Sequence, residues 1–425
     1  MKVAIIGAGF GGLAAAYKLA KSGIDVTIFE SEEYPGGLAV GFEHKDWKWS
    51  LEKHYHHWFE SDLSIRALAK EVGQEVIFKP TKTSTFIGGE SYELDSPLSL
   101  LTFSKLPLSE RIRTGLVLGY LKYVSSWKDL EKVTAHEFLS KYMGEVSWKV
   151  LWRPLFEKKF NQYSNEISAA WFWARIKSRS KNLGYPAGGF LTFAKVLDKK
   201  LRKLGVKIKY KSLVEAIYRE DSNIILAVNH KKYEFDKVVS TLPSYPFTKI
   251  TRGLPDLYKE SLLSLRGIGA VNLVLSLNKS YLEDGTYWLN VNEPHFPFLA
   301  VVEHTNFMDQ KYYNNEHLIY IGNYLPNDHQ FFRSEAVDLL RNFYPYLKTI
   351  NPKFDKSWIN KAYVFKAPFA QPIIPLNYSK ILPDFKTPVE GLYLCNIQQV
   401  YPWDRGTNYA VENGEKVAQL LLESQ

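Results

Sequence analysis

The chain has 425 residues, and two domains are expected because a single hydrophobic core stops growing at about 250–300 residues. Hydrophobic residues make up 45% of the sequence, but the mean hydropathy is -0.24 and no apolar stretch approaches the ~20 residues of a membrane-spanning helix. The net charge of +9 favours an anionic partner, and we expect no nucleic acid because no DNA- or RNA-binding motif accompanies the scattered Lys and Arg residues.

The first predicted elements are a strand, a glycine turn and a helix at the start of the chain. Val3 to Ile6 form a short apolar run typical of a buried parallel strand, and the motif Gly7-x-Gly9-x-x-Gly12 follows directly. The first glycine of such a motif allows a tight turn, the second lets a phosphate approach the backbone, and the third lets the helix lie against the strand. The helix from Leu13 to Lys21 would direct its free N–H groups at the anion.

A second strand, Asp25 to Phe29, ends in Glu30, which lies 21 residues after Gly9. An acidic residue at this place accepts hydrogen bonds from an adenosine ribose and repels the 2′-phosphate of NADP. The strand, the glycine motif and the acid together predict a dinucleotide site. The residues assigned to it here are Gly7, Gly9, Phe10, Gly11, Gly12, Glu30 and Ser31.

A loop with Gly36, Gly37 and Leu38 follows, and its two glycines permit close backbone approach. The glycine motif, the acid and this loop together resemble the superfamily of FAD-dependent amine oxidases, protoporphyrinogen oxidases and phytoene desaturases. The resemblance implies FAD as cofactor, bound in part by this loop. It also implies an α/β fold with a discontinuous, glutathione-reductase-like Rossmann domain and a mixed α+β substrate domain. Family members usually carry Arg at the position of Leu38, so only a backbone contact is expected there.

The segment His54-Tyr55-His56-His57 comes next, and the resemblance places it near the flavin ring. Imidazole titrates near neutral pH, so one interpretation makes His56 or His57 a proton acceptor or a polar contact to the flavin. A second interpretation is that they are hydrogen-bonded residues in an aromatic wall. A zinc site is a third, but no further ligand has suitable spacing and no metal is expected.

Residues 63 to 183 are mostly helical in pattern, with one hairpin around Ser84 to Leu94 that turns at Gly88-Gly89. Within them, Pro107 to Lys128 carries apolar residues on one face and basic residues elsewhere. This pattern fits a helix that covers the substrate pocket, and it also fits a helix that rests on a membrane.

Two runs that mix Trp with Arg and Lys, Trp148 to Phe160 and Ser168 to Arg179, resemble cavity-lining segments of the family. Such residues suit a long apolar substrate with an anionic end, because the rings pack its body and a guanidinium pairs with carboxylate or phosphate. Helices with an aromatic inner face and a basic outer face explain the same residues without a ligand. The substrate candidates from these runs are Arg153, Trp171 and Arg175.

The sequence then returns to the pattern of the cofactor domain. A helix that ends at Leu204, a strand from Val206 to Tyr210 and a buried strand from Phe235 match the order of elements in the family. The resemblance implies that the backbone of Val214 contacts the adenine.

Longer predicted strands between residues 247 and 384 indicate a mixed substrate domain. They are Ala270 to Leu277, Phe298 to Glu303 and Leu318 to Tyr324, with a helix near Ser334 to Tyr346. His304 follows one of these strands and is a further substrate candidate. Lys366 is a candidate for the lysine that amine oxidases bridge through water to the flavin N5.

The C-terminal segment resembles the family's last flavin segment, in which a strand enters a turn and a final helix points at the flavin N1 and C2 carbonyl. That geometry stabilises reduced flavin. The cofactor candidates here are Asn396, where the family usually has Asp, and Arg405, Gly406, Thr407 and Asn408. Cys395 precedes the turn, so we expect non-covalent FAD. As the only cysteine it excludes an internal disulfide and is typical of a cytoplasmic protein.

These patterns predict an FAD-binding domain from residues 1–62, 184–246 and 385–425, and a substrate domain from 63–183 and 247–384. We expect an FAD-dependent oxidoreductase that removes a hydride from a C–H bond of a small-molecule substrate: an amine, a porphyrinogen or a polyene/isoprenoid-like compound. One alternative is a redox-neutral flavoenzyme, such as an isomerase or a protein like UDP-galactopyranose mutase. Another is a non-catalytic flavoprotein that docks on a membrane or a partner.

Overall fold

The computed structural model describes residues 1–424 and contains two large sheets. All strand pairs of the first sheet are parallel. Its five strands, in spatial order, are Lys207–Lys209 (β10), Asp25–Phe29 (β2), Lys2–Ile6 (β1), Lys237–Ser240 (β14) and Leu392–Leu394 (β20). The chain order reverses between β1 and β14, and ligands of open parallel sheets bind at the carboxyl ends of strands beside such a reversal.

Alternate residues of β1 pack into different layers. Val3 and Ile5 join one apolar cluster with three helices, whereas Ala4 and Ile6 join a second cluster with an antiparallel sheet. Burial on both faces explains why this strand is apolar throughout. The helices are Phe10–Lys21 (α1), Phe190–Lys203 (α10) and Thr407–Glu423 (α14), and the antiparallel strands are Val214–Glu220 (β11), Asn223–Val228 (β12) and Lys231–Phe235 (β13).

The second large sheet is mixed and carries the other half of the molecule. Its seven strands, in spatial order, are Ile359–Pro372 (β19), Gly267–Leu277 (β15), His317–Leu325 (β18), Ala300–Glu303 (β17), Thr286–Val291 (β16), Lys82–Ile87 (β7) and Glu90–Glu93 (β8). The helix Ala336–Ile350 (α13) packs on one face of this sheet through Leu339, Phe343 and Leu347. The opposite face looks toward the cofactor domain.

Most of the remaining helices form a layer between residues 97 and 178. They are Pro97–Thr102 (α3), Leu108–Gly119 (α4), Trp127–Leu130 (α5), Ala135–Met143 (α6), Glu145–Ser147 (α7), Arg153–Phe160 (α8) and Ala169–Ser178 (α9). Single π-helical turns, Tyr120–Val124 and Trp148–Trp152, extend α4 and lead into α8. Two further helices, Ser244–Ile250 (α11) and Asp256–Ser264 (α12), lead into β15. Among residues 1–424, no helix is both long and apolar enough to cross a bilayer.

The predicted fold class is confirmed, and the domain boundaries stay predictions. The helix Leu63–Val72 (α2) packs its Ile65 and Leu68 into the core of the cofactor domain, beyond the predicted end of the first segment at residue 62. Short strands also tie this region to the return of the chain. They are Trp58–Phe59 (β5), Val76–Pro80 (β6) and Asn182–Pro186 (β9), besides the small hairpin of Gly41–Phe42 (β3) and Leu51–Glu52 (β4).

Candidate functional site

The three motif glycines after β1 have different reasons to be glycine. Gly7 has φ 104°, and a Cβ there would overlap Thr241 Oγ1. A Cβ on Gly12 would overlap the carbonyl oxygen of Gly7. Gly9 has an ordinary φ of −70°, and a Cβ there would meet only Gly37 Cα, at 3.7 Å. No contact within the protein therefore requires glycine at position 9, which fits a turn that a ligand's pyrophosphate approaches. We call this turn around Gly9 the cradle.

The loop of Gly36 and Gly37 closes against this cradle. The Gly36 N–H donates to the Ala8 carbonyl at 2.9 Å. Gly37 has φ 57°, and a Cβ on it would lie 2.9 Å from Gly9 Cα, so only glycine allows this approach. Leu38 follows, is 42% exposed and brings no charge to the cradle.

Glu30 fastens the cradle to the end of β2. Its Oε2 accepts from the Ala8 N–H at 2.7 Å, and its Oε1 accepts from the Glu32 N–H at 2.9 Å and the Ser31 hydroxyl at 3.2 Å. A carboxylate has about four acceptor positions, so one remains for a ribose hydroxyl. The Glu30 carbonyl accepts from the Ser212 N–H at 2.8 Å, which brings Val214, the first residue of β11, to the same end of the sheet.

The first turns of α1 and α14 lie side by side. A Cβ on Gly11 would lie 3.0 Å from the Ala410 carbonyl oxygen, and one on Gly414 would overlap the Gly11 carbonyl oxygen. Neither helix has a side chain that caps its N-terminal N–H groups. Thr407 Oγ1 accepts from Trp58 Nε1 at 2.8 Å, and Asn408 Oδ1 accepts from the Ile65 N–H at 3.1 Å. Two uncapped helix N-termini, both favourable to negative charge, therefore face one site.

Asn396 uses its side chain to hold protein. Its Oδ1 accepts from the Gln398 N–H at 3.0 Å, and its Nδ2 donates to the Leu242 carbonyl at 3.1 Å. These bonds join the turn after β20 to the end of β14, and contact with a ribityl chain stays a prediction. The neighbouring Cys395 is buried, and burial raises the pKa of its thiol to about 12. This thiol packs in the core.

His56 and His57 lie between the two halves of the molecule, each with one ring nitrogen engaged. His56 Nδ1 lies 2.6 Å from the His54 carbonyl, which can only accept, so Nδ1 carries the proton and Nε2 holds a lone pair. His57 Nδ1 lies 3.2 Å from the Tyr287 hydroxyl. Burial lowers the pKa of His56 to about 4 and that of His57 to about 3, so both are neutral near pH 7. Among residues 1–424, no three His, Cys, Asp or Glu residues are placed to hold a metal.

Asp404 connects two of the predicted substrate residues with the turn before α14. Its Oδ1 accepts from Trp171 Nε1 at 3.0 Å, and its Oδ2 accepts from Arg175 at 3.2 Å. The next residue, Arg405, donates from Nε to Gln371 Oε1 at 2.8 Å and also bonds the Tyr324 hydroxyl. Burial opposes ionisation of Asp404, but Lys159, Arg175 and Arg405 lower its pKa overall. The turn therefore carries a charged cluster beside the N-terminus of α14.

Three predicted site residues lie outside this cluster, and their roles stay predictions. Lys366 pairs with Val271 across β19 and β15, and paired residues share a sheet face. That face packs on α13, opposite to Asn272, whose amide bonds His54. Arg153 is half exposed on the outer surface and pairs with Glu157 at 2.7 Å. His304 is buried in the core with Nε2 2.8 Å from the Tyr313 hydroxyl.

Lys159 and Asp404 were not among the predicted site residues. Lys159 lies on the buried face of α8 together with Phe156 and Phe160. The available signal was a lysine three residues after Phe156, on the apolar side of an amphipathic helix. Asp404 had no signal of this kind, because its partners Trp171 and Arg175 are more than 200 residues away in sequence.

Comparison with known proteins gives results consistent with this geometry. The model of the family described as "Flavin containing amine oxidoreductase" matches residues 10–422. The chain is 31% identical over 179 residues to a probable zeta-carotene desaturase of Synechococcus elongatus, which covers 36% of this chain and 37% of that protein. It is 25% identical over 276 residues to flavin-containing amine oxidase A of Canis lupus familiaris, covering 58% of this chain and 50% of that protein. The matches thus span half or less of these relatives.

Solved structures share the whole fold at low sequence identity. A reduced UDP-galactopyranose mutase superposes with a TM-score of 0.79 at 15% identity, covering 100% of this chain and 96% of that one. Cyclohexylamine oxidase from Brevibacterium oxydans superposes with a TM-score of 0.75 at 14% identity, covering 100% and 99%. At such identities the likeness concerns the fold alone.

Proposed function

We propose that this chain, which belongs to the family of flavin-containing amine oxidoreductases, removes a hydride from a C–H bond of its substrate with FAD as cofactor. The cofactor follows from the family, and the residues present fit it. The observation that carries the proposal is the meeting of the Gly9 cradle, Glu30 and the two helix N-termini at one end of the parallel sheet.

Separate parts of the chain would hold separate parts of FAD. The cradle around Gly9 and the first turn of α1 suit the pyrophosphate, and the remaining acceptor position of Glu30 suits the adenosine ribose. Bound FAD supplies a two-electron acceptor that takes up the hydride. The N-terminus of α14 would stabilise negative charge that develops beside it, since its first N–H groups have no side-chain cap.

We assign His56 a polar contact to the substrate. Its Nδ1 proton is fixed by the His54 carbonyl, so Nε2 accepts a hydrogen bond from a substrate N–H or O–H. A pKa of about 4 makes this nitrogen a weak base near pH 7, and a role as acceptor fits better than a role as proton sink. We likewise assign His57 a polar contact to the substrate, made together with the Tyr287 hydroxyl to which it is hydrogen-bonded.

The proposed reaction oxidises C–N to C=N or C–C to C=C. The two relatives described above are named for both kinds of substrate, a carotene and amines. A redox-neutral reaction that needs reduced flavin is the second candidate, because the chain shares the fold of UDP-galactopyranose mutase over its whole length.

Anaerobic stopped-flow mixing separates the candidates. The flavin-loaded protein is mixed with benzylamine, with protoporphyrinogen and with a carotene in detergent, and loss of the oxidised flavin absorbance is followed. Hydride removal predicts rapid bleaching by one substrate class and slower bleaching in a His56→Ala variant that keeps its flavin. Bleaching by dithionite or NAD(P)H alone, with flavin that then stays reduced during turnover of a sugar nucleotide, would favour the redox-neutral candidate.

A further inference from the structure

A lysine without an anionic partner lies inside the molecule beside the turn before α14. Lys159 is 4% exposed, and its Nζ lies 4.2 Å from the ring centroid of Tyr324 and 5.6 Å from that of Trp171. Within residues 1–424, no carboxylate or carbonyl oxygen pairs with this ammonium. A buried ammonium is costly unless an anion or a hydrogen-bond acceptor compensates it.

The surroundings of Lys159 are rich in positive charge. Arg405 lies over the same Tyr324 ring, 5.2 Å from its centroid, and Arg175 lies over Trp171 at 5.1 Å. Asp404 is the one carboxylate that faces these three cations in the described chain, and it already bonds Trp171 and Arg175. Burial, Arg405 and Arg175 lower the pKa of Lys159 well below its usual range. The protein thus supplies too little negative charge for its own cations.

We infer that Lys159, with Arg405 and Arg175, binds an anionic group of the substrate, a phosphate or a carboxylate. The inference rests on the proposed function, since it describes the substrate of the same site. A ligand anion would complete the hydrogen bonds of Lys159 and balance the cluster. A cationic amine would meet Arg405 and Arg175, and Lys159 when protonated, against one carboxylate, so the cluster disfavours simple ammonium substrates. The aromatic rings of Trp171 and Tyr324 would pack the adjoining part of the substrate.

The test uses the flavin-loaded protein and three probes: inorganic phosphate, pyrophosphate and acetate. Each is titrated while the visible flavin spectrum is recorded, and the comparison of probes separates a phosphate from a carboxylate. A Lys159→Met variant should weaken the best probe by about tenfold to a hundredfold, because a hydrogen bond to a charged group contributes roughly 1.5–3 kcal/mol. The control is Lys158→Met, which removes the same charge from a neighbouring lysine that bonds the Val291 and Phe298 carbonyls.

Several outcomes would overturn the inference. One is that the probes bind the wild type and Lys159→Met with equal affinity. Another is that Lys159→Met and the control Lys158→Met lose probe affinity equally. A Lys159→Met protein with a shifted flavin reduction potential and unchanged probe affinity would assign the ammonium to the flavin. Lys159→Met should also melt higher than the wild type, because it removes a buried amino group that has no hydrogen-bond partner in the protein. The proposed hydride removal is measured separately by flavin bleaching, so either idea can fail alone.

An independent observation concerns the outer surface of α4 and its π-helical extension. Leu108, Ile112, Leu116 and Tyr120 follow one another at four-residue intervals, and Tyr123 continues the same face. All five are exposed, with Leu116 at 69% and Tyr123 at 78%. Large apolar side chains grouped in this way mark interaction surfaces more often than isolated ones do. We call this surface the α4 stripe.

The charge around the α4 stripe is strongly positive. Residues 97 to 128 contain five basic residues and one acidic residue, Glu110, whose carboxylate accepts from the Ser147 N–H at 2.6 Å. Arg111 and Arg113 donate to backbone carbonyls and not to carboxylates. We propose that the α4 stripe rests on an anionic lipid surface, into which the apolar face inserts while these cations pair with headgroups.

Vesicle sedimentation tests the α4 stripe. The full-length protein should sediment with vesicles of phosphatidylcholine and phosphatidylglycerol, less with phosphatidylcholine alone, and less at high salt. Leu116→Ser with Tyr123→Ser should abolish binding, while Leu257→Ser, a control at an 82% exposed leucine on α12, should keep it. Equal binding by the double variant would overturn the proposal. A wild-type dimer in analytical ultracentrifugation that becomes a monomer in the double variant would also overturn it, since a second copy of the chain would then cover the stripe.

Discussion

At the scale of single residues, Gly9 and Gly12 give a matched pair of substitutions. Gly9→Val should abolish flavin binding and leave the apoprotein folded, because the protein itself leaves room for a Cβ at this position. Gly12→Ala should destabilise the fold by about 1–3 kcal/mol, since its Cβ would overlap the Gly7 carbonyl. Flavin absorbance and thermal melting of both variants check this. A Gly9→Val protein that keeps its full flavin content would place the phosphate cradle elsewhere.

Buried histidines should make the protein lose stability in mild acid. Burial lowers the pKa of His304 to about 3, whereas an unfolded histidine titrates near 6.5. Below about pH 6.5 the unfolded chain therefore binds a proton that the native protein excludes. Stability contributed by the neutral ring is present above that pH and is lost as the pH falls toward 3, by about 1.4 kcal/mol per pH unit.

The measurement is urea unfolding between pH 4 and pH 7. His304→Gln should flatten the pH dependence of the free energy of unfolding, and His230→Gln should leave it unchanged, because the His230 side chain is 94% exposed. An unchanged slope in His304→Gln would show that this ring does not stay neutral in the native protein.

The glycine turn and its neighbouring acid could be located from the sequence, whereas Lys159 and Asp404 of the charged cluster could not. Gly7, Gly9, Gly12 and Glu30 act through local turns and one strand end, so their spacing carries the information. Asp404 meets Arg175 only because α9 and the turn before α14 pack together, and no short-range pattern encodes that meeting.

At the scale of elements, the contact between α1 and α14 joins the two ends of the chain at the cofactor site. Gly414→Ala should separate these helices, because a Cβ would overlap the Gly11 carbonyl. We expect a loss of about 1–3 kcal/mol in stability and weaker flavin retention. Gly119→Ala is the control: its Cβ meets nothing within 4 Å, and alanine should stabilise that helix by roughly 0.5–1 kcal/mol. Equal melting temperatures of the Gly414→Ala variant and the wild type would contradict the close packing.

Element types were easier to predict than the faces that elements present. The hairpin that turns at Gly88-Gly89 and the helix α10, which ends before Gly205, follow their sequence signals. The strand β16 was not predicted, and without the register of β19 the sheet face on which Lys366 lies could not be known. A shift of one residue reverses the face of every side chain in a strand, so the sequence pattern alone does not fix that face.

At the scale of the whole molecule, all five strands of the parallel sheet fall within the three segments predicted for the cofactor domain. The boundaries themselves stay predictions, and α2 shows that the first segment contributes to this core beyond residue 62. Periodicity shows where strands and helices occur, but the core that a helix joins depends on its tertiary neighbours.

The assembly of the cofactor site from distant segments implies that flavin stabilises the fold as a unit. A ligand that binds only the native state adds about 2.7 kcal/mol of stability at a hundredfold excess over its Kd. Removal of the flavin should therefore lower the melting temperature, and added FAD should restore it. The Gly9→Val apoprotein should have the melting temperature of the flavin-free wild type, and added FAD should not raise it.

The cofactor is tested by identifying the flavin that leaves the purified protein on heat precipitation. We expect intact FAD, one molecule per chain, in the supernatant and none on the precipitated polypeptide. Release of FMN, no flavin after reconstitution, or flavin that stays attached to the polypeptide would contradict it.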